Sequence, residues 1–211
     1  MFGILLILSY LLSKLTNTKN ETKYTTTLIL LVLIYSIVNI MHTSCYANPL
    51  SYYSQAAESN PESSFCFNNL ALAQSEKGNN DQAVENYSRA ISLKPDFADA
   101  YNNRGYIKLS QGHFQESIKD FTLAIKYKPS LDFAYNNRGL AYLLINKTDS
   151  AFRDINKAIS MNKKNPYAYL NRAKAYISVN DINSACNDLN LASIAGMDEA
   201  ISLKQKYCKK K

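Results

Sequence analysis

The sequence predicts an all-α fold in which helix-turn-helix units stack into a solenoid behind an N-terminal hydrophobic leader. Three observations predict it. Five residue series recur at a spacing of 34 with no insertion: Pro61, Pro95 and Pro129; Phe67, Tyr101, Tyr135 and Tyr169; Ala71, Gly105, Gly139 and Ala173; Gly78, Gly112, Asn146 and Asn180; Ala90, Ala124, Ala158 and Ala192. Such a period marks one repeated supersecondary unit whose apolar faces are covered only by its neighbours. Within each period apolar residues recur at intervals of three and four, the spacing of a single helix face. A turn residue then separates two such halves.

Residues 1–47 form the leader. Phe2 to Leu12 is apolar but too short to cross a bilayer, which takes roughly 20 helical residues. Thr25 to Met41 gives 17 residues without a charge, preceded by Lys14, Lys19 and Lys23 and followed by a small-residue stretch in which Cys45 and Ala47 suit a cleavage site. The leader therefore reads either as a signal peptide cut after Ala47 or as an uncleaved membrane anchor. No Lys or Arg follows until Lys77, so the basic side is expected to stay cytoplasmic and the remainder to be extracytoplasmic, whether periplasmic, secreted or membrane-anchored.

Residues 48–63 make a flanking helix, in which Tyr52, Tyr53, Ala56, Ala57 and Pro61 match the second half of a unit one period upstream. The first half of that unit falls on the leader. Four full units follow, at 64–97, 98–131, 132–165 and 166–197. In the second, Ala98–Gln111 is the first helix (A), Gly112 the turn and Phe114–Tyr127 the second helix (B). Pro129 closes the unit, because proline cannot donate the next helical hydrogen bond. Ala or Gly at 90, 105, 124 and 139 lets helix backbones approach closely. Residues 198–211 supply a capping helix, Asp198–Cys208, and a basic tail.

The order aromatic, small residue, tyrosine, alanine and alanine, clearest in Tyr135, Gly139, Tyr142, Ala151 and Ala158, resembles the tetratricopeptide repeat (TPR) family. The resemblance covers residues 64–197. It implies a right-handed TPR superhelix that binds protein or an extended peptide along a concave face lined by the A helices, and not an enzyme. The fourth unit departs most, with Ala173 and Asn180 for glycine and Met197 for proline, and the third has Lys163 for proline. A period of 34 and a nearly neutral body separate the chain from the 35-residue arrays of RNA-binding pentatricopeptide proteins.

The net charge of +7 divides into +2 for residues 1–47 and +5 for residues 48–211. Five of the last eight residues are lysines (Lys204, Lys206, Lys209, Lys210, Lys211), which equals the second excess, so a nucleic-acid partner is not expected. That tail is either simply solvated or touches acidic lipid or nucleic acid. Cys45, Cys66, Cys186 and Cys208 are too dispersed for a zinc motif, and His42 and His113 stand alone, so neither metal nor cofactor is expected. The sequence offers no Gly-x-Ser-x-Gly, no glycine-rich phosphate loop and no informative carboxylate pair, and no catalytic residue is assigned.

Candidate binding residues lie on the A helices. Asn69, Asn103, Asn137 and Asn171 recur at the period, preceded by Asn68, Asn102 and Asn136, with Leu170 as the exception. An amide both donates and accepts, so a row of them can hold the main chain of an extended peptide; alternatively the amides only solvate a helix face. In some TPR superhelices that bind extended chains, asparagines at the matching place do this. The family's clamp for a C-terminal carboxylate does not carry over, since it needs Lys where Asn68 stands and Asn where Leu72 stands. Phe65, Tyr106, Phe133, Leu140, Leu143 and Tyr167 suggest an apolar floor. Replacing Asn103 and Asn137 by Ala is expected to weaken binding while leaving stability nearly unchanged.

Arg104, Arg138 and Arg172 are each followed 16 residues later by Asp120, Asp154 and Asp188, whereas the first unit has Leu70 and Asn86. That joint change suggests three A-to-B ion pairs with a structural role. Cys186 and Cys208 fall where antiparallel helices meet, so a disulfide is expected in an oxidising compartment, with Cys66 free. Together these features suggest an exported or membrane-tethered TPR adaptor, held by its leader if uncleaved, in envelope assembly, quality control or secretion. Alternatives are a structural subunit of a larger envelope complex and a secreted factor acting on another cell.

Overall fold

The structure, a computed structural model, describes residues 29–39 and 48–208. The basic segment Lys14–Lys23, the cleavage region from Cys45 to Ala47 and the tail Lys209–Lys211 lie outside the described residues. The chain divides into two units, Met1–Tyr52 and Tyr53–Lys211. In the first, residues 29–39 are helical (α1) with every side chain exposed. Among the described residues no helix is long and apolar enough to cross a membrane. Helix α2 follows at Pro49–Ser59.

The second unit holds four A–B pairs. They are α3 (Ser64–Glu76) with α4 (Asn80–Leu93), α5 (Ala98–Ser110) with α6 (Phe114–Tyr127), α7 (Asp132–Leu144) with α8 (Thr148–Met161), and α9 (Pro166–Ser178) with α10 (Ile182–Ile194). A last helix, α11 (Asp198–Tyr207), packs on α10. Each A helix packs on its own B helix and each B helix on the next A helix; successive A helices also adjoin one another, whereas successive B helices do not. Closer approach on one side bends the stack towards it, so the A helices occupy its inner side.

Every turn from A to B has the same geometry. Gly78 and Gly112 have φ of 80° and 82°, and Asn146 and Asn180 take the same left-handed conformation at 59° and 62°. The next residue's amide reaches back five places, as from Asn79 to Gln74 O at 2.9 Å and from Lys147 to Tyr142 O at 2.8 Å. This closes the helix end with its carbonyls satisfied. Asparagine is the residue after glycine that best tolerates this region, so its appearance in the third and fourth units leaves the turn intact. Helices α4 and α6 end two residues before Pro95 and Pro129, while Pro166 occupies the first turn of α9, where a missing amide hydrogen costs nothing.

The core repeats with the sequence. Ala90, Ala124, Ala158 and Ala192 are fully buried, as are Phe121, Ile155 and Leu189, with Tyr87 at the equivalent place of the first unit. Gly139 faces α8 so closely that an added Cβ would sit 2.5 Å from Ile155 Cγ1 and 3.2 Å from the Ala151 carbonyl oxygen. Gly139→Ala is therefore expected to cost about 1–3 kcal/mol through overpacking, measured as a lower denaturant midpoint. An unchanged midpoint would mean that α8 moves aside freely.

Candidate functional site

The inner, solvent-facing edge of the A helices carries large side chains that remain about half exposed. Phe65, Tyr106, Phe133 and Tyr167 are 59%, 57%, 48% and 56% exposed, and Leu72 and Leu144 also face solvent. Leu140 and Leu143, assigned to the same floor from sequence, are only partly exposed, and both pack against core clusters. Phe65 is held by Phe97, whose ring lies 5.1 Å away, and Lys94 Nζ stands 5.1 Å from the Phe65 ring centre. Four exposed aromatic rings on the inner side of one stack are an apolar surface with nothing in the described residues to cover it.

The asparagines sit between these residues and the core, and they are bonded chiefly to one another. Asn171 Nδ2 donates to Asn136 Oδ1 at 3.0 Å, Asn136 to Asn137 at 3.5 Å, Asn137 to Asn102 at 3.3 Å and Asn102 to Asn103 at 3.2 Å. In the first unit Asn68 donates to Asn69 at 3.2 Å. Asn68, Asn136 and Asn171 are buried, and Asn69, Asn102, Asn103 and Asn137 are partly exposed. The ladder thus links α5, α7 and α9 sideways, and each amide keeps only part of its hydrogen-bonding capacity for a ligand. This corrects one expectation. Removing Asn103 and Asn137 together leaves the amide donors of buried Asn136 and partly buried Asn102 without their acceptors, so stability falls along with any loss of binding.

Asn103 has a further partner, the Tyr87 phenol. Burial pushes that hydroxyl up to about 12, and the hydrogen bond from Asn103 offsets part of the shift.

The arginines belong to the frame. Arg104 forks onto Asp120 through Nε at 3.0 Å and Nη2 at 2.7 Å; Arg138 meets Asp154 at 2.6 and 2.9 Å, and Arg172 meets Asp188 at 2.7 and 2.8 Å. Each remaining Nη1 reaches the preceding B helix, at Ser88 (2.9 Å), Thr122 (3.1 Å) and Asn156 (2.8 Å). Those three residues also recur at the period, a signal that the sequence held and that pairing each Arg with a single Asp overlooked. Tyr101, Tyr135 and Tyr169 lie within 5.6–5.8 Å of the guanidinium carbons of their units. For Arg138, burial alone lowers the pKa, but the hydrogen bonds and charge of Asp154 outweigh it and the net shift is upward. For Arg172 the hydrogen bonds that it donates to Asp188 dominate and again raise it. In the first unit Asn86 donates instead to Gln74 Oε1 at 2.8 Å.

At the far end Cys186 and Cys208 form a disulfide, with Cα atoms 5.7 Å apart, and Cys66 is a free, partly exposed thiol. Beside the bridge, Ser193, Ile201, Lys204, Gln205 and Cys208 line an open cavity of about 470 Å³.

Comparison with known proteins gives the frame its place. A TPR repeat model matches residues 72–112, and a tetratricopeptide repeat model matches residues 98–131 and 134–165. No curated protein matches the chain. Among solved structures, PilF of Pseudomonas aeruginosa is similar at 20% identity and a TM-score of 0.63, covering 91% of this chain and 96% of that one. MamA from Desulfovibrio magneticus RS-1 is similar at 16% identity and a TM-score of 0.64, covering 80% and 93%. YrrB, described as a TPR protein with an unusual peptide-binding site, is similar at 17% identity and a TM-score of 0.58, covering 67% and 73%. At such identities the likeness shows the fold alone. The repeat matches and the 34-residue period agree, and residues 72–131 and 134–165 of the chain are tetratricopeptide repeats.

Proposed function

We propose that the chain is a peptide- or protein-binding adaptor, exported or tethered to a membrane, that grips an extended segment of its partner along the inner face of the A helices. The observation that carries this reading is the row of exposed rings, Phe65, Tyr106, Phe133 and Tyr167, on the same helices as asparagines that are already hydrogen-bonded to one another. Rings on a preorganised floor bind at little entropic cost, because they have few rotamers to lose. The peptide-binding site ascribed to YrrB supports the same use of the fold. The Cys186–Cys208 bridge supports an oxidising, extracytoplasmic location, and so does the exposed apolar helix at residues 29–39 behind three lysines. Envelope assembly, quality control or secretion are processes that need such an adaptor.

A second reading, as a structural subunit of a larger complex, is favoured by apolar residues at the C-terminal end, where Leu191, Ile194 and Ile201 are exposed and Ile194 reaches 83%. One experiment separates the two. Peptides selected by phage display against the full chain in detergent micelles are titrated against Phe133→Ala/Tyr167→Ala and against Ile194→Asp. Adaptor binding predicts a loss of about 10- to 100-fold for the first variant, no loss for the second, and unchanged melting for both. Failure to select any peptide, or indifference to the two aromatic residues, rejects the adaptor reading.

A further inference from the structure

The B helices set the outer side of the stack. Asp120, Phe121 and Ala124 of α6 are buried, as are Asp154, Ile155 and Ala158 of α8 and Asp188, Leu189 and Ala192 of α10. The residue just before that aspartate, and those three and six places after it, follow one another at a helical turn on the other side of the helix. Along the stack these positions carry Glu85, Arg89 and Ser92, then Lys119, Leu123 and Lys126, then Arg153, Lys157 and Ser160, and last Asn187, Leu191 and Ile194. The outer face thus passes from neutral through basic to apolar.

Its cations are not spent within the fold. Lys119, Lys126, Arg153 and Lys157 are all exposed, and among the described residues none of them is in an ion pair, whereas Arg104, Lys128, Arg138 and Arg172 each are. Of the acidic groups nearby, Glu116 turns to Lys108 at 3.4 Å, and Asp149 lies one turn before Arg153 without bridging to it. The apolar end is equally open: Leu191 is 49% exposed, and Ile194, at 83%, is the most exposed large hydrophobic side chain among the described residues. Ser193, next to Ile194, shares the terminal cavity with Ile201 and Lys204, so a further cation stands near that end.

We propose that this outer face lies on a membrane surface rich in acidic lipid, with Lys119, Lys126, Arg153 and Lys157 over the headgroups and Leu191 and Ile194 entering the boundary with the acyl chains. A convex row of long, flexible cations offers little shape for a folded protein to match, but it suits a fluid sheet of negative charge. The aliphatic end favours lipid over nucleic acid, because Leu and Ile gain from the acyl boundary and gain nothing from a phosphate backbone. The contact uses the side of the stack opposite Phe65, Tyr106, Phe133 and Tyr167, so it leaves the inner face open and stands whether or not a peptide binds there.

The chain has no tryptophan, so Ile194→Trp supplies a single reporter at a site too exposed to disturb the core. The full chain carrying it is reconstituted in phosphatidylcholine vesicles with and without phosphatidylglycerol. In the acidic vesicles the emission is expected to shift to the blue and to be quenched by brominated acyl chains; in the neutral vesicles it does neither. Raising NaCl from about 0.1 M to about 1 M, which shortens the screening length from about 10 Å to about 3 Å, reverses the effect. A cation near an acidic leaflet contributes about fivefold, so Lys119→Glu/Arg153→Glu/Lys157→Glu is expected to lower the docked-to-free ratio roughly 100-fold with melting unchanged. Should that variant fold poorly, the salt titration of the parent reads the same charges. Val179→Trp, a reporter at the other end of α10, shows no quenching, and Lys77→Glu/Lys147→Glu/Lys164→Glu, which removes equal charge elsewhere, leaves docking intact. No quenching in acidic vesicles, equal quenching in neutral ones, or equal loss in both charge variants overturns the proposal. A blue shift with a DNA duplex and none with vesicles overturns it in favour of nucleic acid.

Discussion

Replacing Asp154 by Ala lowers the free energy of unfolding by roughly 3–5 kcal/mol. The Asp154 side chain is 8% exposed and that of Arg138 is 16% exposed, so the ion pair is desolvated on both sides. Without the carboxylate, Nε and Nη2 of Arg138 lose both partners, and the guanidinium remains fixed between Tyr135, Tyr142 and Thr122. The comparison that isolates burial is Asp99→Ala. Asp99 pairs with Lys128 at 3.2 Å, but both side chains are about half exposed, and an exposed pair is worth less than about 1 kcal/mol. Arg138 also ties α6 to α7 and α8, so its release weakens the joint between the second and third units as well as the third unit itself. Urea titration of the two alanine variants measures the difference, and a loss below about 1 kcal/mol for Asp154→Ala would mean that water reaches the pair. Arg138→Met with Asp154→Leu recovers much of the loss, because an apolar pair of similar volume has no charge to strand.

Much of this frame is legible in the sequence because the period repeats each local decision four times. Alanine at 90, 124, 158 and 192 declares a close helix contact, and Arg with Asp 16 residues later declares partners on facing helices of one unit. The turn residues were legible too, although Asn180 read as a departure when it in fact takes the glycine conformation, as Asn146 does. The fate of the asparagines was not legible. A spacing of 34 shows that Asn69, Asn103, Asn137 and Asn171 form a row but not whether their amides face a ligand or one another. That depends on a lateral separation of a few ångströms between A helices, which no periodicity encodes.

Opening the Cys186–Cys208 bridge releases the C-terminal cap before it affects the rest of the stack. Helix α11 has ten residues, too few to persist alone in water. Its hold on the stack is one fully buried residue, Ala200, with Met197, Leu203 and Cys208 packed beside Leu170, Leu189 and Ala192. Outside that contact Lys174 meets Glu199 at 2.7 Å, but Glu199 is 57% exposed, so the pair adds little. The disulfide closes a sequence separation of 22, for which the chain-entropy account gives about 3 kcal/mol of stabilisation. That exceeds what the small apolar contact is able to supply against the ordering entropy of the helix. In reductant, or in Cys186→Ser/Cys208→Ser, amide protection of α11 is therefore expected to disappear while α5 to α8 stay protected, and α10 then exposes Leu189 and Ala192 to solvent. Cys66→Ser, which removes the free thiol, leaves protection unchanged. Native-state hydrogen exchange with and without dithiothreitol reads the difference directly, and equal protection of α11 in both conditions would show that apolar packing alone secures the cap.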